Sequence, residues 1–326
     1  MNRFQTQAVN LIWPDTVERA SRLFSCKSDR RPACRSGIEK TNGRDARSTS
    51  VKNSNAMNIK SDTVSIFSDI PFAQTPQRTL RLDLRVPQTG RRLPLVMYIP
   101  MGGMSVCVKE HAPWWLIEQG FSMASIEARV SSEAPAPAAV QDCKAAVRWL
   151  RAQADQYGYA PDAIGVWGHS AGGHLAALLG TSGDVADLEG DGGPAGVSSR
   201  VQAVCDECGV PHDLAWFGRP EVKARFPGVA GNLSRYLGGA VEDRSELARR
   251  VSPQTYVTGN CPPMLLLHGS NDEVVPVDEM INFHQILKFA GVDATLRVLP
   301  GSGHGWDAAL TRDDIVAFFT RTLKSH

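Results

Sequence analysis

The chain has 326 residues, 42% of them hydrophobic, enough for one large α/β domain or two small ones with a sizeable buried core. Its 35 Lys and Arg nearly balance 34 Asp and Glu, so the overall charge points neither to nucleic acid nor to an anionic membrane as partner. No run of about 20 apolar residues is present, which excludes a membrane-spanning helix, and the odd set of seven scattered cysteines does not read as a disulfide framework.

The balance hides an asymmetry. Residues 1–56 hold 11 Lys/Arg against 5 Asp/Glu, a net of +6, and the remainder carries −5. The first segment is rich in Ser, Arg and Asn. Its longest apolar run, AVNLIW, is shorter than the roughly 7 to 15 residues of a signal-peptide core, and its acids argue against a transit peptide. A disordered or poorly ordered basic extension is therefore expected, with a cytoplasmic location. Met57 stands just before the first strand-like pattern, so a misassigned start upstream is an alternative.

From about residue 61 strand and helix patterns alternate. TVSIFSDI and TLRLDLRV come first, the second with Leu80, Leu82, Leu84 and Val86 on one face, an antiparallel start. The short apolar runs at 93–100, 121–129, 163–170, 200–209, 262–269 and 294–301 suit strands buried on both faces of a parallel sheet. Helical spacing occupies 110–119, 137–156, 171–180, 277–290 and 312–324. This alternation predicts one doubly wound, mostly parallel sheet of about eight strands with helices on both faces, forming a single catalytic domain over 57–326. Residues 211–255 break the rhythm and read as a lid-like insertion with short helices. DLEGDGGPAG (187–196) reads as a surface loop, with calcium as a remote alternative. CDEC (205–208) has metal or redox spacing but neither a second pair nor a thioredoxin-like context.

GVWGHSAGGHLAALLG (165–180) contains Gly-His-Ser-Ala-Gly between an apolar strand and a helical run, the context of a serine nucleophile on a sharp strand-to-helix turn. A serine hydroxyl is a weak nucleophile at neutral pH and needs a base held by a carboxylate. Asp272 follows the strand LLLHG, and His304 follows the next strand, so all three groups fall at the carboxyl edge of the sheet. Ser170, Asp272 and His304 are the candidate nucleophile, acid and base. Glu273 and Asp278 compete less well for the acid. His169 reads as pocket wall, His174 as helix packing and His268 as bonded within its own loop; His111, His212 and His284 have no catalytic context. For an oxyanion, donors are expected from the Ala171 amide and from Gly102 and Gly103 in the loop PMGGM (100–104), an ordinary glycine turn being the other reading.

These motifs, with SSEAPAPAAVQDCKAAVRWLR, PPMLLLHGSNDEVVP and LPGSGHGW, resemble the α/β-hydrolase esterase/lipase superfamily over residues 62–324. The nearest group is the feruloyl/acetyl esterase-like branch related to hormone-sensitive-lipase-like esterases. The resemblance implies the same roles for Ser170, Asp272, His304, Gly102, Gly103 and Ala171, a small ester as substrate, and no metal or cofactor. PMGGM departs from the HGGGW such relatives carry, which puts substrate class in doubt more than catalysis. Arg129 is retained and is expected to pair with Asp142 or Glu127. Met101, Met104, His169, Cys208 and Trp306 are taken as substrate-pocket candidates, and a Cys107–Cys208 disulfide across the site stays open. The leading reading is a metal-independent serine esterase acting on short-acyl esters through an acyl-enzyme. A prolyl-oligopeptidase-type peptidase and a noncatalytic hydrolase-fold binding protein are the alternatives.

Overall fold

Residues 63–183, 185–210 and 212–324 are described by a computed structural model. The segment 1–56, and with it the expected extension and Met57, lies outside them.

Ten strands form. β1 (Val64–Gln74) and β2 (Thr79–Pro87) make the antiparallel start. They are followed by β3 (Leu93–Ile99), the two-residue β4 (Met101–Gly102) and β5 (Val106–Cys107), β6 (Ser122–Ile126), β7 (Tyr159–His169), β8 (Ala203–Glu207), β9 (Met264–Gly269) and β10 (Ala294–Leu299). Eight of them build one sheet in the order β1-β2-β6-β3-β7-β8-β9-β10, in which only the pairings made by β2 are antiparallel. The alternation in β2 is realised: Leu80, Leu82, Leu84 and Val86 are all buried. Every residue of β6, β8 and β9 is buried, as central parallel strands covered on both faces require.

Helices α1 (Ala138–Tyr157) and α2 (Ala171–Thr181) lie over one face. There Leu95, Met97, Val140, Val147, Leu150, Leu175 and Leu178 form the larger core. The C-terminal helix covers the other face, where Phe318, Phe319 and Leu323 meet Val96, Met123, Trp167 and Leu265. The helical pattern at 110–119 becomes two short 3-10 turns, Lys109–His111 and Trp114–Gln119, because Pro113 interrupts the run.

Within 211–255 stand α3 (Pro220–Arg225), α4 (Pro227–Leu237) and α5 (Ser245–Arg250). Phe217 and Tyr236 are fully buried, and Trp216 and Phe226 pack against the larger core. The aromatics of this segment are therefore packing residues.

Buried charges find partners. Arg129 pairs with Asp142, Nη2 to Oδ1 at 2.7 Å, and Asp142 also accepts the Arg129 amide at 2.8 Å. Glu127, the competing partner, goes to Arg78 instead. In the loop 187–196, Glu189 turns inward to the fully buried Lys144 at 2.7 Å and to Arg148, so it straps the loop onto α1.

Candidate active site

Ser170 is wedged between β7 and α2 with φ 56° and ψ −121°, a left-handed conformation that a serine adopts only under constraint from its surroundings. Glycines around it are needed for space. A Cβ on Gly168 would lie 2.2 Å from the carbonyl oxygen of Gly172, and one on Gly172 would lie 2.1 Å from that of Ile99. The helix thus crosses the strand ends almost in contact with backbone, aiming its first amide, that of Ala171, past the serine with no intrahelical acceptor. Asp206 buttresses the turn from below: it accepts from the Gly209 amide at 2.9 Å and meets His212 Nε2 at 2.7 Å, while the imidazole of His212 stacks on Phe283.

The loops after β9 and β10 carry the other two groups, and they are laced together. Asn271 donates its amide to Ser302 at 2.9 Å, and the Ser270 hydroxyl accepts from the Gly301 amide at 2.8 Å. A Cβ on Gly269 would strike the Gly303 carbonyl at 2.2 Å. This crossing brings His304 Nδ1 to 2.8 Å from Asp272 Oδ2 and His304 Nε2 to 2.8 Å from Ser170 Oγ.

Asp272 is fully buried as a side chain. Its Oδ1 accepts the amides of Val274 and Val275 at 2.8 and 2.9 Å, and Oδ2 also lies 3.1 Å from His268 Nε2. Burial alone would raise its carboxyl, but His268, His304 and the Val275 amide outweigh that and hold it well below the usual carboxylate range. An ionised Asp272 keeps a proton on Nδ1 and leaves Nε2 free to accept from the serine. His268, read from sequence as bonded to its own loop, does contact the Val275 carbonyl at 3.0 Å, and it touches Asp272 as well.

The loop opposite the serine is a miniature ribbon: Met101 pairs with Cys107 and Gly102 with Val106. Its tip turns at Gly103 and Met104, both at positive φ (53° and 59°), and Ser105 donates its amide to the Gly102 carbonyl at 3.0 Å. Positive φ at both central positions is the habit of a type I′ turn. Met101 and Met104, expected on the pocket wall, are instead buried in the larger core, because the ribbon folds their thioether side chains inward, away from water. Cys208 is also fully buried, its Sγ 3.1 Å from His169 Nε2 and 3.4 Å from the His304 carbonyl. It forms no disulfide with Cys107, whose thiol donates to the Ile126 carbonyl; both are free. Cys205, the other cysteine of CDEC, is buried in the core on the far face of the sheet.

Cys208, Asp272 and His304 are the one trio among the described residues whose ligand atoms approach closely enough to share a cation. Asp272 and His304 are already bonded to each other, and burial pushes the Cys208 thiol far up, away from the thiolate a metal would need.

His169 and Trp306 do line a cavity, of about 170 Å³, with Tyr98, Trp115, Trp167 and Glu207. His169 Nε2 donates to the His304 carbonyl at 2.9 Å, and burial, then the neighbouring His304, lower its pKa, so it is a neutral wall. A roomier surface pocket, about 260 Å³ beside Gly180, Arg200 and Pro262, lies at the opposite edge of the sheet, remote from this chemistry. Glu207 went unrecognised in the sequence, hidden between the two cysteines of CDEC; two adjacent carboxylates, Asp206 and Glu207, at the end of an otherwise apolar strand were the available signal. Burial pushes its carboxyl up to about 7.

A raised acid pKa has a defined sign. The folded state holds the Glu207 proton more tightly than the unfolded chain, so stability declines as pH rises from the unfolded value of about 4.3 through about 7. Glu207→Gln keeps an acceptor for Trp167 and removes that cost. The variant is expected to gain on the order of 2 kcal/mol over the parent at pH 8 and little at pH 5, measured by denaturant unfolding. An equal effect at both pH values would contradict this assignment.

The family described as BD-FAE matches residues 82–287. Esterase LipC of Mycobacterium tuberculosis is 32% identical over 72% of this chain and 59% of its own length. Esterase LipQ of the same organism is 31% identical over 75% and 58%. The chain thus spans somewhat under two thirds of the length of these curated relatives. Among solved structures, a truncated carbohydrate esterase from gut microbiota superimposes with a TM-score of 0.68 at 27% identity, covering 82% of this chain and 100% of the other. An acetyl ester-xyloside bifunctional hydrolase from Caldicellulosiruptor lactoaceticus superimposes with a TM-score of 0.62 at 29% identity, covering 77% and 88%.

Proposed function

The chain belongs to the BD-FAE family and has the α/β-hydrolase fold, and on that premise we propose that it is a serine carboxylic ester hydrolase acting on small, short-acyl esters. The observation that carries this reading is the unbroken hydrogen-bond line from Ser170 Oγ through both nitrogens of His304 to the buried Asp272. His304 takes the serine proton as Oγ attacks the ester carbonyl. Asp272 holds the imidazole in the required tautomer and stabilises the imidazolium. The oxyanion meets the Ala171 amide at the start of α2 and the amides of Gly102 and Gly103 in the ribbon opposite the serine. Collapse expels the alcohol with the proton from His304 Nε2, and a water activated by the same imidazole releases the acid.

The burial of Met101 and Met104 and the inward packing of the apolar side chains between Leu214 and Val251 leave little apolar wall for a long acyl chain, which supports short acyl groups. The names of the carbohydrate and acetyl esterase neighbours support an acetyl ester in particular. Kinetics on matched acetyl, butyryl, octanoyl and feruloyl esters test this: kcat/KM is expected to fall at least about tenfold from butyryl to octanoyl. Flat rates across the series would refute the short-acyl preference.

A further inference from the structure

The cavity beside His304 is chemically one-sided. Its walls are the rings of Tyr98, Trp115, Trp167, His169 and Trp306, with the imidazole of His111 also on the lining; its one carboxylate is Glu207, and no Lys or Arg lines it. Glu207 is 8% exposed. Trp167 Nε1 donates to Glu207 Oε2 at 2.8 Å, and no described residue bonds Oε1. An indole N–H is neutral and does not balance a buried negative charge. Asp142, Asp206 and Asp272, buried in the same protein, each have a guanidinium or imidazole against them. At Glu207 the countercharge is missing, and the upward push on its carboxyl is the consequence.

We propose that this cavity is a subsite for a cationic group on the alcohol portion of the ester, a small alkylammonium, with Glu207 as its counter-ion and the surrounding rings as its cage. The inference rests on the hydrolase reading above and deepens it by naming the substrate class. Aromatic faces attract alkylammonium groups through the ring quadrupole, and more strongly where water is excluded. The cage is partly built of rings packed edge to face, Tyr98 on Trp167 at 5.4 Å and Trp115 on Trp167 at 5.7 Å, which fixes it before any ligand arrives. The guanidinium of Arg312 already sits 4.6 Å from the centre of the Trp115 ring, with Glu118 as its own partner at 3.2 Å. At about 170 Å³ the cavity has the volume of five or six waters at about 30 Å³ each, room for a trimethylammonium-sized group.

Position argues for the alcohol side of the ester. The leaving oxygen collects its proton from His304, so the alcohol departs past that imidazole. His169, with its ring 5.4 Å from that of His304, and Gly305 and Trp306, next along the chain, are the cavity walls on that side.

The test uses the full chain and compares acetylthiocholine with its uncharged isostere, S-(3,3-dimethylbutyl) thioacetate, in the parent and in Glu207→Gln. The parent is expected to favour the cationic ester by about tenfold or more in kcat/KM, and the ratio to fall toward one in the variant whatever the absolute rates. A ratio near one in the parent, or one that the substitution leaves unchanged, overturns the subsite. A second readout needs no turnover: tetramethylammonium is expected to change tryptophan fluorescence saturably in the parent and not in Glu207→Gln, with 3,3-dimethylbutan-1-ol inert. Absence of a saturable response overturns the proposal as well. If p-nitrophenyl acetate and both thioesters are inert while tetramethylammonium still binds, the hydrolase reading has failed and the cation site stands.

Discussion

Replacing Ser170 by alanine is expected to lower kcat/KM for short-chain aryl esters by at least roughly a thousandfold. The hydroxyl is the group His304 Nε2 faces at 2.8 Å, and the neighbouring thiol does not compete with it: Cys208 is fully buried, with its thiol held far up by burial. The residue lost is small and its replacement shares the same strained backbone position, so the fold should be retained. Circular dichroism and unfolding midpoint therefore serve as controls, and a folded variant with undiminished turnover would remove Ser170 from the mechanism. Residual activity above background would be the contribution of the oxyanion donors and of binding, which the substitution leaves in place.

The second large effect is expected at Gly172. An alanine there places its Cβ 2.1 Å from the Ile99 carbonyl oxygen and 3.4 Å from the Met101 amide nitrogen, both backbone atoms that no rotamer change can move aside. Either α2 lifts from the end of β3 or the Met101–Cys107 ribbon shifts, and both displace the Ala171 amide from the serine. Gly172→Ala is expected to cost about 3 kcal/mol or more, a drop in unfolding midpoint of roughly 6–10 °C, together with most of the activity. Gly228→Ala is the matched control, since a Cβ at that position in α4 meets nothing within 4 Å. Equal effects from the two alanines would show that the close approach at Gly172 is not what the elbow depends on.

Much of this architecture was legible in the chain because the signals were local. Period-two spacing in β2, the apolar run Met264–Leu267 in β9, and a Gly-rich turn after β7 each dictate their own conformation. Ser170, Asp272 and His304 follow the parallel strands β7, β9 and β10, which carried them to one edge of the sheet, since each loop leaves its strand at the same end. What was not legible depended on contacts between distant segments. Met101 and Met104 looked like pocket walls until the ribbon pairing turned them inward. Cys107 and Cys208 were separated by the hydrogen bonds each thiol makes with its own surroundings. The cage around Glu207 draws on β3, the turn after Pro113, β7, β8 and the loop after β10, so no window of sequence contains it. His268 shows the same limit on a smaller scale: its contact with the Val275 carbonyl is local, whereas its position against Asp272 arises only when the loop closes.

Hydrolysis through an acyl-enzyme requires that Ser170 form a covalent intermediate. A fluorophosphonate offers the most direct measurement, because it reacts with a serine only where a base and an oxyanion site activate it. Treatment of the full chain followed by peptide mass spectrometry is expected to place the phosphonyl adduct on Ser170, stoichiometrically, and to find none in His304→Ala. An unlabelled Ser170 in folded protein, or labelling that survives the loss of His304 at an equal rate, would contradict the account.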